Sequence, residues 1–292
     1  MKETKLKFGV IGSGSWATAL IKILSENNND INWYIRNTEN VEFIKENSHN
    51  PNYLSSVELN LKKLKISAEI NEVVEASNVI IIAVPSEYVN DEMKKIDLDI
   101  SKKIIICALK GLVPETNLLF GEHMQKHFGI SPNKFLVIGG PCHAEEVALE
   151  KLSYLTIGSS NLELCKIISE KFSCKYINVK ASDDVIGIEY ASMLKNIFAL
   201  AVGISNGLGY GDNYQSVLMS NSIKEMKRFI SKRHKIKRNV NNSAYLGDLL
   251  VTGYSSFSRN RMFGNMIGKG YTVKAAQLEM KMVAEGYIAT KK

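Results

Sequence analysis

The chain has 292 residues, 45% of them hydrophobic, enough to fill one large or two ordinary domains, which excludes a small scaffold dependent on disulfide staples. Its 37 Lys and Arg against 30 Asp and Glu give a formal charge of +7, scattered except for a dense run at 224–238 that lacks the interleaved aromatics of a single-strand platform, so nucleic acid is not the expected partner. No apolar run reads as long enough to cross a bilayer, and residues 1–5 lead into a strand without a cleavable leader, so a cytoplasmic protein with no transmembrane segment is expected.

Residues 5–11 read as a short apolar strand that runs into Gly12-x-Gly14-x-x-Ala17 and then a helix. Gly12 permits a tight turn, Gly14 lets the backbone approach a pyrophosphate, and Ala17 allows close helix–strand packing. The helix N–H groups then face the anion. A second strand at 31–35 completes a βαβ unit, the context that separates a dinucleotide loop from an ordinary glycine turn. Arg36 follows that strand, where an NAD site usually places an acid for the ribose 2′-hydroxyl. A cation there favours the 2′-phosphate, so the expected cofactor is NADP or NAD with NADP(H) favoured.

Apolar segments at 78–84, 103–109 and 134–138 predict strands buried on both faces, hence a parallel sheet covered by helices. Segments at 153–157 and 175–179, flanking a helical stretch at 162–172, are expected to extend it. From Asp183 the pattern turns helical, over 183–203, 214–230, 243–251, 261–267 and 273–282, with a glycine-rich turn at 207–211. The predicted fold class is α/β: a Rossmann-like, doubly wound dinucleotide-binding domain over 1–182 and an all-helical substrate-binding domain over 183–292.

Ligands of open α/β sheets bind beyond the carboxyl ends of the strands, which here carry Ala83-Val-Pro-Ser86, Lys110-Gly111 and Gly139-Gly-Pro-Cys-His-Ala-Glu-Glu146. Lys110 there could hold a phosphate or a developing oxyanion. Lys195 stands in an apolar helix beside Met193, Leu194, Ile197 and Phe198. Burial disfavours the charged form of an amine and readies it for proton transfer, whereas a lysine that snorkels to solvent would have no such role. Asp248 is a helix cap or a partner for a cation, and Ser258-Arg259-Asn260 offers the fork and extra donors that a phosphate dianion takes.

Cys107, Cys142, Cys165 and Cys174 lack the spacing of a zinc or redox motif, so free thiols are expected. His123 and His127 are spaced i,i+4 without a further ligand nearby. They read as a solvated helix face, and no metal is expected.

Taken together, residues 12–20, Trp33-Tyr-Ile-Arg-Asn37, 83–86, Lys110-Gly111, 140–146, Leu194-Lys-Asn196, Gly247-Asp-Leu249, Ser258-Arg-Asn260 and Ala284-Glu-Gly286 closely resemble the bacterial-type NAD(P)-dependent glycerol-3-phosphate dehydrogenases. The resemblance implies reversible reduction of dihydroxyacetone phosphate to sn-glycerol 3-phosphate, feeding phospholipid synthesis. It makes Lys195 the proton donor or acceptor. Lys110, Gly140, Cys142, Asp248, Ser258, Arg259 and Asn260 would surround the substrate. Ser15, Trp16, Arg36, Lys110, Ala144, Arg259, Val283 and Glu285 would join Gly12 and Gly14 around the cofactor, and a homodimer is the family expectation.

The chain departs from the family pattern in three places. Cys142 stands where serine or threonine is usual, Gly253 where cysteine is commoner, and the sequence stops at Lys292, short of its relatives, so a truncated C-terminus is expected. A reductase of another small hydroxy acid or phospho-substrate and a non-catalytic dinucleotide sensor are the competing readings. Ser258-Arg259-Asn260 counts against the first, and Lys195 with Asp248 against the second.

Overall fold

The computed structural model describes residues 5–280 and 284–291. Contacts divide the chain into two units: residues up to Leu109 with Phe120–Ile138 and Cys142–Val185, and Lys110–Leu119 with Gly139–Pro141 and everything from Ile186 on.

The first unit is built on an eight-stranded sheet of β1 (Lys7–Ile11), β2 (Asp30–Tyr34), β3 (Leu64–Ser67), β4 (Val79–Ile82), β5 (Ile104–Cys107), β6 (Phe135–Gly139), β7 (Ser153–Ser159) and β8 (Ile177–Ser182). Its order is β3-β2-β1-β4-β5-β6-β7-β8. β4, Val-Ile-Ile-Ile, is buried along its whole length between β1 and β5, the burial on both faces that its unbroken β-branched run predicts. The helices α1 (Ser15–Glu26), α2 (Thr38–Asn47), α3 (Ile70–Glu75), α4 (Val89–Met93), α5 (Phe120–Phe128), α6 (Ala144–Ala148) and α7 (Leu162–Phe172) complete this unit. Its main apolar core gathers Phe8, Leu20, Leu24, Trp33, Leu136 and Phe172, with Phe8 and Phe172 edge to face at 6.2 Å.

Three features differ from the sequence reading. β3 carries no unbroken apolar run and escaped notice; only Leu64 and Ile66 point inward, as an edge strand allows. β7 runs against β6, because Ser159 at its end donates to the carbonyl of Phe135 at the start of β6, 3.1 Å away. The sheet is therefore parallel from β3 to β6, while β7 and β8, parallel to each other, return in the opposite sense. His123 also departs from expectation: it is 7% exposed and stacked on Phe120 rather than solvated.

The second unit contains α8 (Val185–Gly207), α9 (Asp212–Arg233), α10 (Asp248–Tyr254), α11 (Arg259–Gly268), α12 (Val273–Glu279) and α13 (Glu285–Ala289). The sequence predicts α8 as a helix over 183–203 but counts no apolar run as long enough to cross a bilayer. With 23 residues it is long and apolar enough to cross a membrane, but 72% of its most apolar window is buried within the protein, and it buries Glu189, Lys195 and Asn196. It is the central core helix of this unit. Gly203 and Gly207 of α8 meet the backbone of α11, and Gly264 and Gly268 of α11 meet the backbone of α8; a Cβ at any of the four would run into main-chain atoms. Gly253 is accounted for in the same way, since its missing side chain makes room for the Met219 thioether of α9. Among the described residues the cysteines form no disulfide.

Candidate active site

In the first unit, the loop between β1 and α1 is fixed from three sides. Gly12 has φ +125°, a left-handed conformation that L side chains rarely adopt. The buried Trp33 indole donates to the Gly12 carbonyl at 2.6 Å, and the Asn50 amide donates to the Ser13 carbonyl at 3.1 Å and to the Thr18 hydroxyl at 2.9 Å. α1 then starts from Gly14 with no side-chain cap and no acidic residue in its first turn. A Cβ on Gly14 would meet nothing within 4 Å. An uncapped, acid-free helix start behind a rigid glycine loop fits a dinucleotide pyrophosphate. Ser15 and Trp16 open this helix, while Ala144 opens α6, buried in the core with Cys142 beside it in sequence.

Arg36 lies just past β2 with its side chain 75% exposed, 4.0 Å from a Glu92 carboxylate oxygen. Glu92 is itself buried, accepting from the Tyr34 hydroxyl at 3.1 Å and from Lys95 at 2.9 Å. Burial and the Glu92 charge push the Tyr34 hydroxyl above its ordinary value, so it remains a donor. Sequence reading missed Glu92, because nothing in a helical segment after β4 announces a partner for a residue after β2.

In the second unit, Lys195 of α8 is 5% exposed and donates to Asp248 Oδ1 at 2.5 Å. The other Asp248 oxygen accepts the Gly140 N–H at 3.2 Å. Gly140 has φ +111°, so glycine is needed for that N–H to turn toward the carboxylate. Asp248 is presented by an irregular stretch, a single π turn over Ser243–Gly247 that passes into α10, where the sequence predicted one continuous helix. Such π turns often mark functional sites. The Thr252 hydroxyl donates back to the Asp248 carbonyl at 2.6 Å.

Lys110 joins this cluster. Its carbonyl accepts the Asn196 amide at 3.3 Å, and its amine is lowered to about 8 by burial first, then by the Lys195 and Arg259 charges, against the opposing carboxylates of Asp248 and Glu285. Ser258 caps α11 by accepting the Arg261 N–H, placing Arg259 in the first turn. Asn260 accepts the Gly286 N–H at 2.8 Å, which ties α11 to α13 and to Glu285 at its start. Lys110, Lys195 and Arg259 against Asp248 and Glu285 leave an excess of positive charge, the sign that an anionic substrate requires.

Family models described as NAD-dependent glycerol-3-phosphate dehydrogenase N-terminus and C-terminus match residues 7–165 and 184–292. The chain belongs to this dehydrogenase family. Glycerol-3-phosphate dehydrogenase (NAD(P)+) of Macrococcus caseolyticus (strain JCSC5402) is 37% identical over 98% of the chain and 86% of that relative. The enzyme of the same name from Bacillus subtilis (strain 168) is 34% identical, over 98% of the chain and 83% of the relative. The crystal structure of glycerol-3-phosphate dehydrogenase from Coxiella burnetii superposes with a TM-score of 0.90 at 30% identity, covering 98% of this chain and 87% of that one.

As a glycerol-3-phosphate dehydrogenase, the chain is an NAD(P)-dependent oxidoreductase, and the residues its sequence nominated fall into two groups. Lys110, Gly140, Lys195, Asp248, Asn260 and Glu285 are tied together in the second unit by the bonds and charges above, with Arg259 among them. Gly12, Gly14, Ser15, Trp16, Arg36, Cys142 and Ala144 belong to the first unit, where Cys142 is 6% exposed in the apolar core. Val283 lies outside the described residues. Asn50, which holds the glycine loop, was not singled out in advance, and Trp33 was named only as part of a family motif; both bond to the backbone, an interaction that residue type alone does not reveal.

Proposed function

We propose that this enzyme interconverts dihydroxyacetone phosphate and sn-glycerol 3-phosphate with a nicotinamide dinucleotide, NADP(H) preferred, supplying glycerophospholipid synthesis. The observation that carries this reading is the buried Lys195–Asp248 pair, anchored on Gly140 and joined by the Lys110 amine and Arg259. We assign cofactor binding to 1–182 and substrate binding to 183–292, the latter assisted by Lys110 and Gly140, which cluster with it.

Gly12, Gly14, Ser15 and Trp16 would hold the pyrophosphate and Arg36 the 2′-phosphate, with Lys110, Ala144, Arg259, Val283 and Glu285 toward the rest of the cofactor. When bound, the reduced nicotinamide supplies the hydride that converts a carbonyl carbon to a carbinol. The oxygen left with the electron pair needs a proton, and Lys195 donates it from its ammonium group; in the reverse direction its amine accepts the proton of the alcohol. Asp248 positions that nitrogen and balances its charge while the proton moves. Lys110 stabilises the developing oxyanion. Arg259 grips the phosphate as a planar fork, with the Ser258 hydroxyl and the Asn260 amide as neighbouring donors and Gly140 and Cys142 lining the site. Three cations supply the positive charge that a Lewis-acid ion would otherwise give, so this reading calls for no metal. Family resemblance supports work in the cytoplasm and a homodimeric assembly.

NADPH oxidation by the purified protein should be rapid with dihydroxyacetone phosphate. With unphosphorylated dihydroxyacetone, kcat/KM should fall by at least roughly a thousandfold, because a site built for a dianion leaves its donors unpaired when the phosphate is missing. Equal efficiency with the two ketones would sink the substrate assignment, and no turnover with either would sink the activity.

A further inference from the structure

Residues 224–238 carry eight Lys and Arg against a single Glu, an excess equal to the +7 of the entire chain. Outside this short segment, cations and carboxylates are equal in number. The protein's net charge is therefore a local feature of one place, the last turns of α9 and the loop that follows.

The structure makes this segment an open surface. α9 buries Met219, Ser222, Met226 and Ile230 on one face and turns Lys224, Lys227, Arg228, Lys232 and Arg233 outward, and Lys235 and Lys237 continue the exposed row beyond the helix. Among the described residues, none of Lys224, Lys227, Arg228, Lys232, Lys235 and Lys237 forms an ion pair. Lys232 and Arg233 complement the carbonyl end of the helix, but the cations two turns earlier and those past the helix lie beyond the reach of that effect. Unpaired like charges repel one another, and a counter-surface relieves the repulsion.

We propose that this segment docks the protein onto an anionic phospholipid bilayer. Clustered lysines and arginines on a helix and its flanking loop are attracted to acidic headgroups, each cation contributing roughly a fivefold gain in partitioning near the surface. Ile236, 39% exposed between Lys235 and Lys237, offers an apolar tip to the interface. The aromatic of the segment points the other way: Phe229 is edge to face with Tyr190 at 5.3 Å and lies under Arg233, so it is not presented for stacking on bases. Attachment by charge without a lipid anchor is weak and reversible, suited to an enzyme that samples the membrane. If the proposed activity holds, its product would be released where glycerophospholipids are assembled, but lipid binding itself does not depend on that activity.

The intact protein should co-sediment with vesicles of phosphatidylglycerol and phosphatidylcholine at low salt, not with phosphatidylcholine alone, and high salt should release it. The variant carrying Lys232→Gln, Lys235→Gln and Lys237→Gln should lose at least roughly tenfold in partitioning while keeping its thermal midpoint and its turnover in solution. No preference for the anionic vesicles, unchanged partitioning of the triple variant, or tighter binding to single-stranded RNA than to those vesicles at the same salt would each overturn the proposal. Turnover is read separately, so failure of the proposed dehydrogenase activity would be distinguishable.

Discussion

Lys195 and Lys110 are two amines in one cluster with different surroundings, and that difference separates their expected roles. Lys195 is locked to Asp248 at 2.5 Å, so its nitrogen has a fixed position. Lys195→Ala should abolish turnover yet leave NADPH binding, measured by fluorescence titration, close to wild type; turnover at the wild-type level would refute the proton-transfer role. It should also cost stability, on the order of 3 kcal/mol, because Asp248 is left as a buried charge without its partner. Lys110 is held near 8, by burial first and then by two neighbouring cations. Its folded value lies below the ordinary lysine value of 10.5, so the ammonium form dominates below pH 8 and is lost as pH rises through about 8. The kcat/KM for dihydroxyacetone phosphate should therefore fall above that pH, since the developing oxyanion loses its cation. Lys110→Arg, whose guanidinium stays protonated, should flatten that fall, and an unchanged profile in that variant would assign the titration to another group.

Between single residues and the whole chain stands the crossing of α8 and α11. Glycines spaced four apart on both helices let the backbones approach until each lacks room for the other's Cβ. That approach sets where the first turn of α11 lies, and with it Ser258, Arg259 and Asn260. Gly264→Val should destabilise the protein by about 2 kcal/mol through overpacking, read as a lower denaturant midpoint. The same variant should raise the KM for the phosphate substrate more than it lowers kcat, because the phosphate grip proposed for Arg259 shifts while the Lys195–Asp248 pair remains. Loss of stability with unchanged KM would show that the crossing does not position the substrate residues. The π turn before Asp248 acts at the same scale, adding a residue to one turn and so directing a carboxylate toward Lys195 and Gly140.

For the molecule as a whole, cofactor choice should be visible in thermal stability, since a ligand at free concentration L that binds only the folded state stabilises it by RT ln(1 + L/Kd), and the tighter-binding cofactor therefore raises the unfolding temperature more. NADPH should raise the thermal midpoint more than NADH at equal concentration, and Arg36→Glu should reverse that order, as followed by calorimetry. The buried Glu92 beside Arg36 limits the margin, because a carboxylate 4.0 Å from the guanidinium opposes part of its pull on a 2′-phosphate. Equal shifts for the two cofactors in the wild-type protein would remove Arg36 from the discrimination.

The sequence by itself determined the dinucleotide loop, the buried strands β4, β5 and β6, the change to helices after 182 and the nomination of Lys195, Asp248 and Arg259. Each is a local pattern: glycines at a required spacing, continuous β-branched runs, or a charge set within an apolar helix. Only the tertiary structure decided that β7 turns back against β6, that Gly140 donates to Asp248, that Glu92 lies beneath Arg36, and that the apolar α8 is a core helix instead of a membrane span. These depend on which segments meet across 24 to 108 residues of chain. Local propensity leaves such pairings open; packing of the whole fold settles them.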